Sequence, residues 1–225
     1  MMQLLSKRIR ETTGGKGFSV LYSDVGPKFY QQNGGWKSVV GTEIILPNTT
    51  MFVDTFPVEN LNIEEAESRI NEDVQCLKNE FVGHAEKTTL QLIPQHAELE
   101  WATVRDQEAT KHLNLQVPES VGAKFSSPDD WGYILWFREY KESSLTVLRL
   151  REPSNDGGLR GLFQAAVDEA KRSGLSKVTI WAPSPRTEKV TGVERVTRKT
   201  AIPALLYLGE EENVAWHSIE KLGWC

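Results

Sequence analysis

The stretch from Trp131 to Ala182 constrains the fold more than any other part of this chain. Trp131–Tyr140 and Ser144–Arg151 are two runs rich in β-branched and aromatic residues, joined by Lys141-Glu142-Ser143, and read as an antiparallel hairpin. Leu159, Leu162, Phe163, Ala166, Val167 and Ala170 then recur at helical spacing, with Gly174 as the stop. Lys177–Ala182 returns to a strand and is ended by Pro183 and Pro185. Strand, strand, helix, strand in that order calls for an α/β fold.

The chain opens with similar elements. Met1, Met2, Leu4, Leu5 and Ile9 fall near helical spacing, and Gly14-Gly15 stops them. No capping residue precedes Met1, so the chain is expected to open inside a helix. Phe18, Val20, Leu21 and Tyr22 form a short apolar strand. Gly26-Pro27 starts a helix carrying Phe29 and Tyr30, and Asn33-Gly34-Gly35 ends it. Trp36–Leu46 reads as a further strand or hairpin.

Pro47–Leu61 is irregular and punctuated by prolines, a connector. Asn62 and Glu65 make a capping box ahead of the stripe Ile63, Ala66, Ile70, Val74, Leu77 and Phe81, with Gly83 as the stop. A strand is expected over residues 88–93, and Pro94 introduces a helix reaching Leu113. On that helix Trp101 and Arg105 share a face at i, i+4 and are placed to stack, with His96 and His112 flanking them. No His-Glu-x-x-His or Cys-His spacing supports a metal site.

Composition narrows the function classes. The formal net charge is -5, and the 26 Lys and Arg are dispersed, densest from Arg186 to Lys199. That balance argues against a nucleic-acid footprint, which needs a basic face. No apolar run approaches membrane-span length, and no signal-peptide pattern opens the chain. Cys76 and Cys225 give no disulfide framework. A cytosolic protein is the expectation.

Helix, strand, Phe-Tyr helix, Gly-Gly-Trp and strand resembles the C-terminal half of a GNAT-superfamily acetyltransferase. The wording Leu21–Tyr30, LYSDVGPKFY, resembles the fungal lysine N-acetyltransferase family, as does PQHAELEWATVR with its Trp and Arg. The resemblance implies a GNAT-like mixed α/β sheet flanked by helices, acetyl-CoA as co-substrate and the side-chain amine of lysine as acceptor. It implies a helix N-terminus that grips the acetyl-CoA pyrophosphate, lying just before Met1. Tyr30 then matches the general acid that protonates the CoA thiolate, and Ser23 falls where members carry a CoA-contacting asparagine. Gly34-Gly35-Trp36 is one residue longer than the family's usual ending. Tyr30 as ring packing and Ser23 as turn chemistry stand beside those roles.

Residues 1–46 are thus expected to be the end of one acetyltransferase domain, 47–61 a connector, and 62–225 a larger GNAT-like domain. The strands holding Val20 and Ile44 should neighbour each other in one sheet, and the first should have an exposed edge. The order from Leu162 to Pro183, followed by WHSIEKLGW, echoes the opening segment as a weak internal repeat. Gly157, Gly158, Arg160 and Gly161 offer a phosphate cradle at a helix N-terminus, or simply a glycine-rich cap, with Glu152 and Asp156 opposing an anion. Three functions follow: an acetyl-CoA-dependent lysine N-acetyltransferase lacking its pyrophosphate loop, a non-catalytic GNAT-like binding or regulatory module, or a stand-alone α/β binding domain whose GNAT-like segment is accidental, the reading that separated Val20 and Ile44 strands would favour.

Overall fold

A computed structural model describes residues 1–81, 89–209, 214–217 and 219–223. Its centre is the expected hairpin. Strands β7 (Asp130–Glu139) and β8 (Ser144–Arg151) pair antiparallel, and the turn passes through Ser143 in the left-handed region (φ 49°). Helix α5 (Asp156–Arg172) crosses back over the sheet to β9 (Lys177–Trp181), which runs parallel to β8. Strands β3 (Thr42–Pro47), β10 (Val196–Thr197), β6 (Gly122–Ser127) and β4 (Glu59–Leu61) complete a seven-stranded sheet in the order β10-β3-β9-β8-β7-β6-β4.

Both faces of this sheet are covered, which is why its central strands read as apolar runs rather than alternating ones. Along β7 the side chains still divide by period two. Ile134 and Trp136 join Leu159, Phe163 and Val167 of α5, while Tyr133, Leu135 and Phe137 join Ile70, Leu99 and Ala102 on the other face. The latter come from α3 (Ile63–Phe81) and α4 (His96–His112). The capping box opens α3: the Asn62 amide donates to Glu65 Oε2 and the Glu65 amide to Asn62 Oδ1, both at 3.0 Å. The expected stop at Gly83 lies outside the described residues.

The opening segment builds a second sheet. Helix α1 (Met2–Thr12) and α2 (Pro27–Gly34) pack on β1 (Phe18–Ser23), which pairs antiparallel with β11 (Ile202–Tyr207), and β11 with β2 (Lys37–Ser38). Gly26, Pro27 and Gly35 bound α2 as anticipated, Gly35 with φ 86°. Leu21, Ala204 and Leu206 face the helices, whereas Val20, Tyr22 and Leu205 face Leu90, Trp216 and Ile219. Leu90 and Trp216 lie on β5 (Thr89–Gln91) and β12 (Ala215–His217), a short parallel pair. Helix α6 (Pro185–Thr191) follows β9.

Val20 and Ile44 therefore do not lie on neighbouring strands: β1 belongs to the three-stranded sheet and β3 to the seven-stranded one. The chain changes sheets at Val39–Gly41. Gly41 has no space for a side chain there, since a Cβ would meet the Arg198 guanidinium at 2.6 Å and Pro203 Cδ at 2.9 Å. The boundary expected at residue 46 lies inside β3, and the connector 47–61 ends in β4. β1 ends its sheet with no strand on its outer side among the described residues. The internal echo stays one of element order, because β1 pairs antiparallel and β9 enters its sheet beside a parallel neighbour.

Candidate functional site

Strands β8 and β9 pair only at Ser144–Lys177, Leu145–Val178 and Thr146–Thr179 and then part. Parted strands leave backbone groups that must find other partners. Here the chain supplies one: the Leu150 amide donates to Glu220 Oε1 (3.4 Å), and Glu220 Oε2 accepts from Arg149 Nη1 (2.6 Å). The Tyr22 hydroxyl donates to the Glu220 carbonyl (3.3 Å), and a 3₁₀ turn at Lys221–Gly223 packs against β8. Ile219, Lys221 and Leu222 are buried. Burial pushes the Glu220 carboxyl above its usual range, against the pull of Arg149. Arg149 Nε also bonds Asp73 (2.8 Å), which accepts from Tyr133 (2.8 Å) and Arg151 (3.2 Å). The space between the parted strands is filled by this chain's own residues.

The N-terminus of α5 is closed in the same way. Asn155 Oδ1 accepts from the amides of Gly157 (2.8 Å) and Gly158 (3.1 Å), and Asp130 accepts from those of Ser154 (2.8 Å) and Asn155 (2.9 Å). These are the donors an anion would need. Arg186 bonds Asp156 Oδ1 (2.7 Å) and the carbonyls of Ser154 (2.7 Å) and Pro153. The glycines answer to packing. A Cβ at Gly158 would lie 2.7 Å from the Phe125 ring, and one at Gly161 would lie 2.3 Å from the Phe56 carbonyl. Of the two accounts of this loop, the glycine-rich cap is the one its hydrogen bonds match. An acetyl-CoA pyrophosphate does not fit there.

The residues singled out by resemblance sit elsewhere. Tyr30 packs with Trp36, Leu21 and Leu206 and meets Phe29 edge-on (5.1 Å between centroids). Ser23 is buried, its hydroxyl accepting from the Val25 amide (3.1 Å) and donating to the Gly26 carbonyl (3.4 Å). Trp101 and Arg105 share a face of α4, but Arg105 lies over Phe137 (5.3 Å) and Trp101 is half exposed. His96 bonds Asn71 (2.9 Å). Among the described residues no cluster suits a metal ion.

What the tertiary structure adds is an alternating row of cations and rings across the parted strands. Arg105 lies over Phe137, Lys221 over Phe137 (5.6 Å) and Trp181 (4.5 Å), and Arg198 over Trp181 (3.6 Å) and Tyr22 (5.9 Å). Burial pulls the Lys221 amine down to about 8 and the Arg198 guanidinium to about 10. Burial likewise raises the Tyr22 phenol, despite Arg198 nearby. Arg198 is the outlier. It is 5% exposed, and among the described residues Nε, Nη1 and Nη2 all lack a hydrogen-bond partner. A desolvated cation–π contact is worth about 2 kcal/mol, less than the several kcal/mol needed to bury an ion. The Trp181 ring therefore does not compensate the guanidinium alone. In the sequence Arg198 is one member of the basic run from Arg186 to Lys199, and nothing local marks it.

The mixed sheet, with one parallel pair and helices on both faces, is shared with solved N-acetyltransferase structures. A GCN5-related N-acetyltransferase from Anabaena variabilis is similar over 92% of this chain, with a TM-score of 0.51 and 14% identity. A conserved protein from Enterococcus faecalis V583, described as a "probable N-acyltransferase", is similar over 92%, with a TM-score of 0.53 and 9% identity. The chain covers 49% and 48% of those two chains, about half their length. No curated protein matches. The family model for the LYC1 GNAT-like C-terminal domain matches residues 46–225, and the chain belongs to that family. The match begins after Ser19–Trp36, so membership is carried by residues 46–225, which include PQHAELEWATVR, and not by the opening segment.

Proposed function

We propose that this chain serves an acetyl-CoA-dependent N-acetyltransferase acting on a small amine, lysine by resemblance, as a module that does not itself hold acetyl-CoA. One observation carries this reading: the amides of Ser154 and Asn155, just ahead of α5, and of Gly157 and Gly158 in its first turn are already taken by Asp130 and Asn155. The filling of the parted strands by Ile219–Leu222 supports it. In this reading Tyr30 and Ser23 serve packing and turn chemistry. Among the described residues no helix is long and apolar enough to cross a membrane. A cytosolic location is part of the same proposal.

The test is thermal unfolding of the chain with increasing acetyl-CoA. A ligand at one hundred times its Kd adds about 2.7 kcal/mol, or roughly 5–10 °C for a chain of this size. The expected result is an unchanged midpoint. A dose-dependent rise would overturn the proposal and point back to the α5 N-terminus.

A further inference from the structure

Of the edge strands of the two larger sheets, only β1 is left open to pairing. β2 and β10 are two residues long, and β4 is three residues long and begins with Glu59. Short or charged edges resist pairing with other chains. β1 has six residues, Phe-Ser-Val-Leu-Tyr-Ser, with no charge and no proline. Among the described residues no strand lies on its outer side, and a groove of about 280 Å³ is lined by its Phe18 and Val20 together with Leu92 and Ile93.

The pairing with β11 fixes which backbone groups are free. The ladder runs from Phe18–Tyr207 to Ser23–Ile202, and the Leu208 amide extends it by donating to the Gly17 carbonyl (2.9 Å). Successive residues of an antiparallel ladder point alternately toward the partner strand and away from it. Gly17, Ser19, Leu21 and Ser23 therefore turn their polar groups toward β11, and Phe18, Val20 and Tyr22 turn theirs outward.

A second copy fits this edge in one register. With Val20 opposite Val20 across a two-fold axis, Phe18 of each copy faces Tyr22 of the other, and every outward N–H meets an outward C=O. A slip of one residue sets outward groups against groups already bonded to β11, and a slip of two leaves one outward residue of each copy unmatched. The same register is complementary in charge. Lys16, ahead of the strand, comes level with Asp24, just beyond its end, and both are exposed. Among the described residues Lys16 has no ion pair, and Asp24 uses Oδ1 for the Ala201 amide (2.6 Å), leaving Oδ2. A parallel pairing would set like charges together instead. Phe18 against Tyr22 adds an aromatic cross-strand pair.

We propose that β1 is a self-association edge, pairing antiparallel with β1 of a second copy about Val20 and joining two three-stranded sheets into one. The two-fold crosses the sheet plane, so the α1 helices of both copies stand on the same face, where α1 has no buried residue and exposes Leu4 and Leu5. This inference goes beyond the proposed function and does not rest on it.

The test is sedimentation equilibrium of the full chain over about a hundredfold range of concentration, which should follow a monomer–dimer equilibrium. Amide exchange followed by NMR should slow at the high end for Phe18, Val20 and Tyr22, but not for Ser19 and Leu21, which β11 already holds. Val20→Pro removes an outward N–H without touching the β11 ladder, a place where an edge strand tolerates proline, and should leave the chain monomeric. Should V20P fail to fold, Lys16→Glu provides the reading. At an exposed position it sets like charges together at both ends of the pairing, and should weaken dimerisation about tenfold at low salt. Added salt should reduce that effect.

A chain that stays monomeric up to about 1 mM would overturn the proposal. So would a dimer that V20P or K16E leaves unchanged, or one whose outward β1 amides exchange as fast as in the monomer. A monomer with those amides already protected would overturn it in favour of another segment of the same chain covering the edge.

Discussion

Replacing Arg138 by Met tests the reasoning about buried charge most directly. Arg138, next to the last residue of β7, reaches both layers of helices: Nη1 bonds Asp106 of α4 (2.6 Å), and Nη2 bonds Glu169 of α5 (2.5 Å) and the Ser120 carbonyl (3.1 Å). Its Nε bonds Ser173 (3.0 Å). All three charged side chains are buried. Methionine keeps much of the volume but leaves two carboxylates without the cation between them. Glu169 retains Arg172 at the rim, and Asp106 loses its ion pair. Breaking a buried pair by removing one partner costs about 3–5 kcal/mol, so the midpoint should fall by roughly 6–20 °C.

The pH dependence gives a second check. Burial already raises Asp106 above the usual carboxylate range, against the opposing effect of Arg138, and removing that cation raises it further. An acid with a raised folded value holds its proton more tightly in the folded chain than in the unfolded one. Stability then falls as pH rises through that interval and recovers as pH is lowered. The deficit of R138M, followed by circular dichroism in urea, should be largest at pH 7 and smaller at pH 5. A loss below about 1 kcal/mol at pH 7, or an equal loss at both pH values, would refute the argument.

Other outcomes follow from the closed helix N-terminus. Burial would raise Asp130, but the amides of Ser154 and Asn155 hold its carboxyl below the usual value. Its contribution is therefore present at neutral pH and disappears as pH falls through that lowered value. Asp130→Asn should cost about 1–2 kcal/mol at pH 7 and progressively less as pH falls through that lowered value, and a constant difference would count against the assignment. Gly158→Ala gains helix propensity of up to about 1 kcal/mol but sets a Cβ 2.7 Å from Phe125. Net destabilisation of about 1–2 kcal/mol is expected in urea titration, and a more stable variant would show that the glycine is not there for packing.

Much of the fold was legible in the sequence because its signals are local. The hairpin, the α5 stripe, the Asn62–Glu65 box and the glycines at the ends of α2 are each specified by residues within a few positions of one another. The Trp101–Arg105 face was legible as a face, but not what it would meet. The candidate site was hardly legible. Tyr30 and Ser23 stood out by wording, whereas Arg198, Lys221 and Glu220 carry no local mark.

The sequence by itself determined the α/β class, the hairpin with its following helix and strand, and the family to which residues 46–225 belong. Only the tertiary structure decided that β1 and β3 lie in different sheets, that the amides of Gly157 and Gly158 are occupied, and that Arg198 is buried between rings with no hydrogen-bond partner among the described residues. The physical reason is range. Capping and periodicity act over one or two turns, whereas burial and pairing join residues as distant as Asp24 and Ala201, 177 positions apart. An arginine's environment is set by such partners, and the residues beside it in the chain do not reveal them.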